Sequence, residues 1–245
     1  MVARVIAIAS GKGGVGKTTI ALNLGFAMAS LKKNVLVVDT DVSLPNLDLY
    51  TGLEKPLITL LDVLNGSANI QSAIYSIQMG LNILPCGSSI EALRGADIDK
   101  LGEIITELKN SEFDFIILDV PAGLSKFSLL PMTYSDEVIL IVNPDAASIS
   151  DAQKVRTISG LTDMKIKGII VNKYKKSTYE DIGIKLGLPV IGVVPVDDAV
   201  VKSRDSKKPI IMLKPKSAPA KALLQIARKV CGIPEKKSIL KRLLG

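Results

Sequence analysis

The chain contains no histidine. That removes the most frequent general base and the most frequent metal ligand, so any hydrolysis must rest on carboxylates, positioning and Mg²⁺. Its two cysteines, Cys86 and Cys231, are solitary and form no C-x-x-C, which argues against a zinc site or a thioredoxin-like motif. Long apolar runs are missing as well. Arg4 is followed by five apolar residues, too few for a secretory leader. No stretch approaches the roughly 18 needed to span a bilayer, so the expected location is cytoplasmic. Internal repeats and low-complexity segments are also lacking. At 245 residues and 47% hydrophobic, the chain is long enough for one large α/β domain with a well-buried core.

Charge is present but unevenly placed. From Lys202 to the end there are 13 Lys and Arg against 2 Asp and Glu, in a chain whose net charge is +7. The last fifth is therefore a basic appendage on a mildly acidic body. Such asymmetry points to an anionic partner, either nucleic acid or a membrane surface.

Apolar runs alternate with helix-like stretches. Strands are expected at Arg4–Ser10, Asn34–Asp39, Leu81–Leu84, Phe113–Asp119, Glu137–Asn143, Ile166–Asn172 and Val190–Val194. Helices are expected after Lys17 and at Ile98–Lys109, Ile149–Ile158 and Ser217–Val230. Continuous apolar strands in this rhythm predict a mostly parallel, doubly wound sheet with helices on both faces. The expected boundaries are one domain over residues 1–232, then a linker and short helix over residues 233–245.

The densest signal lies between the first strand and the first helix, where Gly11 to Thr19 reads G-K-G-G-V-G-K-T-T. Glycines at 11, 13, 14 and 16, with Val15 between them, let the backbone turn tightly and point successive N–H groups at an anion. The helix that follows favours negative charge at its N-terminus. Lys17 would reach the β- and γ-phosphates, the Thr18 hydroxyl would ligate Mg²⁺, and Thr19 completes the loop, as the G-x-x-x-x-G-K-[ST] pattern requires. Lys12 has no part in that pattern and reads equally as a solvated surface lysine.

Ligands in open α/β sheets sit beyond the carboxyl ends of the strands. Asp119 closes F-D-F-I-I-L-D and reads as the acid that holds Mg²⁺ through a water. Asp39 and Asp41 close the second strand, where either could instead cap its loop. Asn172 begins N-K-Y-K, with Lys175 where a guanine-binding chain would carry an acid, so the expected base is adenine; a strand-end turn is the other reading. Asp151, near the start of a helix, is also favoured there by the macrodipole alone. At the far end Ile239, Leu240, Leu243 and Leu244 share one face, with Lys241 and Arg242 opposite. That is a basic amphipathic helix too short to cross a bilayer. It can lie in a membrane interface or pack on the protein's own surface.

G-K-G-G-x-G-K-T-T resembles the deviant Walker A motif of the MinD/ParA ATPases. That resemblance implies that Lys12 crosses a dimer interface onto the partner's phosphates. D-V-P-A-G, from Asp119 to Gly123, resembles the family's second switch, in which the Gly123 N–H would sense the γ-phosphate. D-T-D-V-S-L-P-N-L-D-L resembles its first switch, with Asp41 orienting the attacking water and standing near Mg²⁺. Pro45 departs from the basic or polar residue expected there and stiffens the segment. By the same resemblance Asn172 contacts the base edge, the segment Gly192–Asp197 with Pro195 and Asp197 passes beside it, and Asp151 lies near the dimer face. K-K-S-I-L-K-R-L-L-G is similar to the membrane-targeting end of the family's MinD branch.

The resemblance therefore implies a slow, partner-stimulated ATPase using ATP and Mg²⁺. It would form an ATP-dependent homodimer, attach reversibly to the cytoplasmic face of an anionic membrane, and act as a spatial switch in placing the division site with an effector protein. The leucine face of the tail counts against DNA as the partner. Alternatives are a ParA-like DNA-partitioning ATPase, a flagellar-number regulator, a metabolic P-loop ligase, and an iron–sulfur scaffold ATPase. The last should show a close cysteine pair.

Overall fold

The computed structural model describes residues 2–53, 55–175 and 179–234. The first half runs β1 (Arg4–Ala9), α1 (Lys17–Ser30), β2 (Val35–Asp39), α2 (Leu47–Thr51), α3 (Leu60–Leu64), β3 (Tyr75–Ser76), β4 (Asn82–Leu84), α4 (Ile90–Gly95) and α5 (Leu101–Lys109). The second half runs β5 (Phe115–Asp119), α6 (Lys126–Thr133), β6 (Glu137–Val142), α7 (Ala146–Ser159), β7 (Ile166–Tyr174), α8 (Glu180–Leu186), β8 (Val190–Pro195), α9 (Asp198–Asp205), α10 (Ile210–Leu213) and α11 (Ala218–Val230).

Among the described residues one sheet carries eight strands, in the order β3-β4-β2-β5-β1-β6-β7-β8. Every pairing is parallel except β3 with β4. β1 sits at the centre, flanked by β5 and β6, and the chain winds outward from it in both directions. The crevice above β1 is thus the position where such sheets place a ligand.

Alternate residues of each strand feed two cores. Val5, Ala7, Leu36, Val38, Ile116 and Leu118 point to one face and pack with α3, α5, α7 and α8. Ile6, Ile8, Val35, Val37, Ile117 and Ile139 point to the other, against α1, α10 and α11. Strands covered on both faces gain nothing from alternating polarity, which is why they read as unbroken apolar runs.

α1 is buried from Ile20 to Ala29. It lies so close to the sheet that a Cβ at Gly25 would fall 2.7 Å from a methyl of Val37. α11 covers α1 with Leu223, Ile226, Ala227 and Val230, and Ser217 caps its N-terminus by accepting from the Ala220 N–H.

The expected strands and the long helices are all present. β3 was not expected, because two residues are too few to show a period. α7 starts three residues earlier than expected, since the Asp145 side chain accepts from the Ser148 N–H and so begins the helix at Ala146. The stretch from Ile98 opens as a 3-10 turn before α5. β7 runs two residues past Asn172. The expected amphipathic segment at Ile239–Leu244 lies outside the described residues, and no described helix is long and apolar enough to cross a membrane.

Candidate functional site

The loop joining β1 to α1 has left-handed backbone at Gly14 (φ 74°) and Gly16 (φ 99°). A Cβ at Gly16 would also stand 2.5 Å from Nδ2 of Asn172. Gly11 is constrained differently, because a Cβ there would meet the Asp151 carbonyl oxygen at 2.4 Å. The missing side chains at Gly11 and Gly16 let the loop close against α7 and β7. Ser10 holds the turn by donating from its hydroxyl to the Lys12 carbonyl at 2.7 Å.

A cavity of about 580 Å³ opens in front of this loop. Gly13, Gly14, Gly16, Lys17, Thr18 and Thr19 line it, together with Asn172, Pro195 and Asp197. Asp41 stands on the side of the segment after β2. Residues far apart in sequence and singled out from it therefore meet around one space. Val15 is buried beneath the loop. Gly123 is not among the lining residues, where its neighbour Ala122 is, and its N–H donates to the Ser10 carbonyl at 3.1 Å. Asp197 also caps α9, accepting from the Ala199 N–H at 2.8 Å. Asp151 pairs with Lys154, and its backbone rather than its carboxylate touches the loop.

Below the phosphate end lies a knot of charge. β2 and β5 are adjacent and in register, which sets Asp39 opposite Asp119 with both side chains buried. Burial pushes the Asp119 carboxyl up to about 8, and the neighbouring Asp39 adds to the shift against the pull of Thr18 and Lys17. Asp39 is raised to about 6, also chiefly by burial, although it accepts from the N–H groups of Asp41, Asn46 and Leu47. Lys17 is lowered by burial, against the attraction of Asp119 and Asp41. One cation thus faces several acids in a dry setting. The Asp41 carboxylate, at the cavity wall, accepts from the N–H groups of Ser43 and Leu44 and so also caps its own loop.

Oδ1 of Asp119 is buried without a hydrogen-bond partner, in need of a donor or a cation. With the Thr18 hydroxyl and Asp41 nearby, the site offers hard oxygen ligands from two carboxylates and one alcohol. Among the described residues no cluster forms a complete metal cage from side chains alone. The unpartnered oxygen and this donor set fit Mg²⁺, which keeps waters and shares its coordination with phosphates, with Asp119 acting through a water.

Lys12 differs from the rest of the loop. Its ammonium is 3.5 Å from Oδ1 of Asp145, both side chains are about half exposed, and it does not line the cavity that Lys17 enters. Sequence reasoning missed Asp145, and also Tyr50, Lys173, Val200 and Arg204, which complete the wall. Lys173 follows Asn172 in N-K-Y-K without a role of its own there, and the others stand outside the site motifs read from the sequence. α2 and α9 bring Tyr50 and Arg204 in by packing, which sequence spacing does not report.

Glycine-rich backbone, a half-buried lysine, a hydroxyl and a strand-end acid with one unpartnered oxygen, at the centre of a doubly wound sheet, define the phosphate site of a P-loop nucleoside triphosphatase. A family model described as ParA, NUBPL iron-transfer P-loop NTPase, matches residues 1–231. An uncharacterized ATP-binding protein of Methanocaldococcus jannaschii is 41% identical, over 95% of this chain and 89% of its own length. The septum site-determining protein MinD of Pyrococcus horikoshii, solved in complex with Mg-ADP, superposes with a TM-score of 0.89 at 36% identity, covering 96% of this chain and 100% of that one. A MinC:MinD cell division protein complex from Aquifex aeolicus gives a TM-score of 0.85 at 35% identity, covering 96% and 99%. The chain belongs to the MinD/ParA family of P-loop NTPases.

Proposed function

We propose that this chain is a MinD-like ATPase that dimerises on ATP, attaches to a membrane in that state, and is reset by hydrolysis. The observation that carries this reading is the outward position of Lys12. A lysine in the phosphate loop that avoids its own cavity is free to enter the cavity of a second copy. There it would deliver a cation to charge developing on the transferred phosphoryl group, as an arginine finger does.

Within one chain the roles divide by position. Backbone N–H groups of the loop hold the phosphates, Lys17 reaches the β- and γ-phosphates, and Thr18, Asp41 and Asp119 are the residues that would hold Mg²⁺. When bound, that ion neutralises charge on the phosphate oxygens. Asp41 orients the attacking water. Asn172, Pro195 and Asp197 hold the adenine end, and Gly123, once released from the Ser10 carbonyl, would report the γ-phosphate. The Mg-ADP complex of the P. horikoshii protein supports ATP and Mg²⁺ as the ligands.

Ile239, Leu240, Lys241, Arg242, Leu243 and Leu244 supply the membrane contact. A single short helix binds weakly, whereas two on one dimer bind cooperatively. Location would therefore follow nucleotide state. The MinC:MinD complex of the A. aeolicus relative supports an effector protein as a further partner, and placement of the division site as the process served.

The test is sedimentation with anionic liposomes in ATP and in ADP, for the full chain, for Lys12→Ala, and for a chain ended after Ile233. Pelleting of the full chain alone, and in ATP alone, is expected. Equal recovery of all samples in the supernatant would overturn the membrane reading.

A further inference from the structure

Five described residues other than glycine have positive φ, namely Lys32, Lys55, Met79, Lys173 and Lys207. Lys173 alone among them lies inside a strand. Its φ of 55° is left-handed, a conformation that side-chain-bearing residues adopt at a cost. The local cause is visible in the pairing of β7 with β8. Asn172 pairs with Val194 and Tyr174 with Pro195, so Lys173 is one residue too many for its partner strand. Pro195 has no N–H to offer the ladder, which suits an interruption there. A bulge next to a site re-aims a side chain.

Here it aims Lys173 at the phosphate loop. Nζ donates to the Gly14 carbonyl at 2.8 Å. Beside it Nδ2 of Asn172 donates to the Val15 carbonyl at 2.7 Å. Asn143, with its amide nitrogen turned inward, reaches the same Val15 carbonyl at 3.3 Å. The carbonyl and the following N–H of a trans peptide lie in one plane and point in opposite directions. Holding the Gly14 carbonyl therefore sets the direction of the Val15 N–H, and holding the Val15 carbonyl sets that of Gly16. The loop's phosphate-binding face is held from behind.

We propose that Lys173 is a positioning residue for phosphate binding, whose ammonium, delivered by the bulge, fixes the Gly14–Val15 peptide so that its N–H faces the cavity. The proposal rests on the nucleotide-binding reading above. Lys173 and its neighbour Asn172 then share one task, since both side chains donate to backbone carbonyls of the loop, at Gly14 and Val15. That task also assigns a purpose to the strained φ. The strand accepts an unfavourable backbone at one residue in exchange for a preorganised anion cradle next to it.

The experiment compares full-length wild type with Lys173→Met, Lys173→Arg and Lys173→Gly. ATP affinity is measured in Mg²⁺, and backbone ¹⁵N order parameters are measured in the nucleotide-free protein. Lys173→Met is expected to weaken ATP about tenfold, the size of a lost hydrogen bond to a charged group. Its Val15 amide should fall from a rigid order parameter near ~0.85 to below ~0.6. Lys173→Arg should restore both. Lys173→Gly tolerates the left-handed backbone, so its melting temperature should be no lower than that of wild type while ATP binding falls as in Lys173→Met. That combination separates positioning from general loss of stability.

Unchanged ATP affinity in Lys173→Met would overturn the proposal. So would weakened affinity with a loop as rigid as before, because the side chain would then act on the nucleotide itself. Failure of wild type to bind ATP would instead remove the nucleotide reading on which the proposal stands.

Discussion

Two lysines five positions apart in one loop occupy opposite environments. Lys17 points inward, buried against Asp119 and Asp41 at the end of the cavity. Lys12 points outward, half exposed and paired at 3.5 Å with Asp145 at the start of α7. The inner face of the loop is thus complete within one chain, whereas the outer face carries a cation with nothing of its own cavity to act on. The same side chain type thus faces the cavity on one side of the loop and the Asp145 carboxylate on the other. Placement relative to the backbone turn, rather than chemistry, makes that difference.

The largest effect is expected from Lys12→Ala. It should lower ATP turnover roughly a thousandfold, the scale of a missing arginine finger, while ATP affinity of the monomer stays within about threefold of wild type. Single-turnover hydrolysis and sedimentation velocity in ATP would show this, and a variant that still dimerises and hydrolyses would place Lys12 back among surface lysines.

Next comes the buried acid pair beneath Lys17. The folded chain keeps protons on Asp119 up to about pH 8 and on Asp39 up to about pH 6, whereas the unfolded chain releases them near the ordinary carboxylate value. This contribution is therefore intact below the ordinary carboxylate value and is lost as pH rises from about 4 to about 6 for Asp39 and from about 4 to about 8 for Asp119. In EDTA and without nucleotide, Asp119→Asn should gain on wild type as pH rises from about 5 to 8, by at most about 4 kcal/mol at roughly 1.4 kcal/mol per pH unit. Urea midpoints across that range would test it, and parallel pH profiles for the two proteins would show that Asp119 is ionised throughout.

A smaller loss follows from Lys17→Ala. It removes charge-assisted hydrogen bonds to phosphate and should weaken ATP binding about 10–100-fold. Calorimetry on monomeric protein would separate this from the Lys12 effect, since Lys12→Ala should leave that titration nearly unchanged. The smallest change is expected at the outer rim. Asp145→Asn breaks an exposed pair that contributes about 0–1 kcal/mol, so the melting temperature should barely move. The ATP concentration at half-dimerisation should fall by no more than about threefold; a large shift in either direction would mean that Asp145 holds more than one lysine.

Much of the site was legible because its chemistry sits in contiguous sequence. The glycines, Lys17 and Thr18 lie in one loop, and Asp119 ends an apolar strand where no solvated acid would be expected. The strands themselves were legible because burial on both faces demands unbroken apolar runs. The short helices α2, α9 and α10 were not, since four to eight residues form and persist through tertiary packing rather than through a periodic signal. For the same reason the lining contributed by Tyr50, Val200 and Arg204 was unseen. Lys173 was passed over as one basic residue in N-K-Y-K, because neither the bulge nor the left-handed φ leaves a mark in the residue order.

By itself the sequence determined the class of fold, the phosphate loop, the acid at the end of β5 and the spare lysine. Each of these depends on local backbone geometry or on apolar patterning, which a linear chain encodes directly. Only the tertiary structure decided which carboxylates face one another, which way the two lysines point, and that the back of the loop is tied to β7. Those depend on strand order, register and one extra residue in a ladder, quantities defined by distances between segments up to 159 residues apart in the chain.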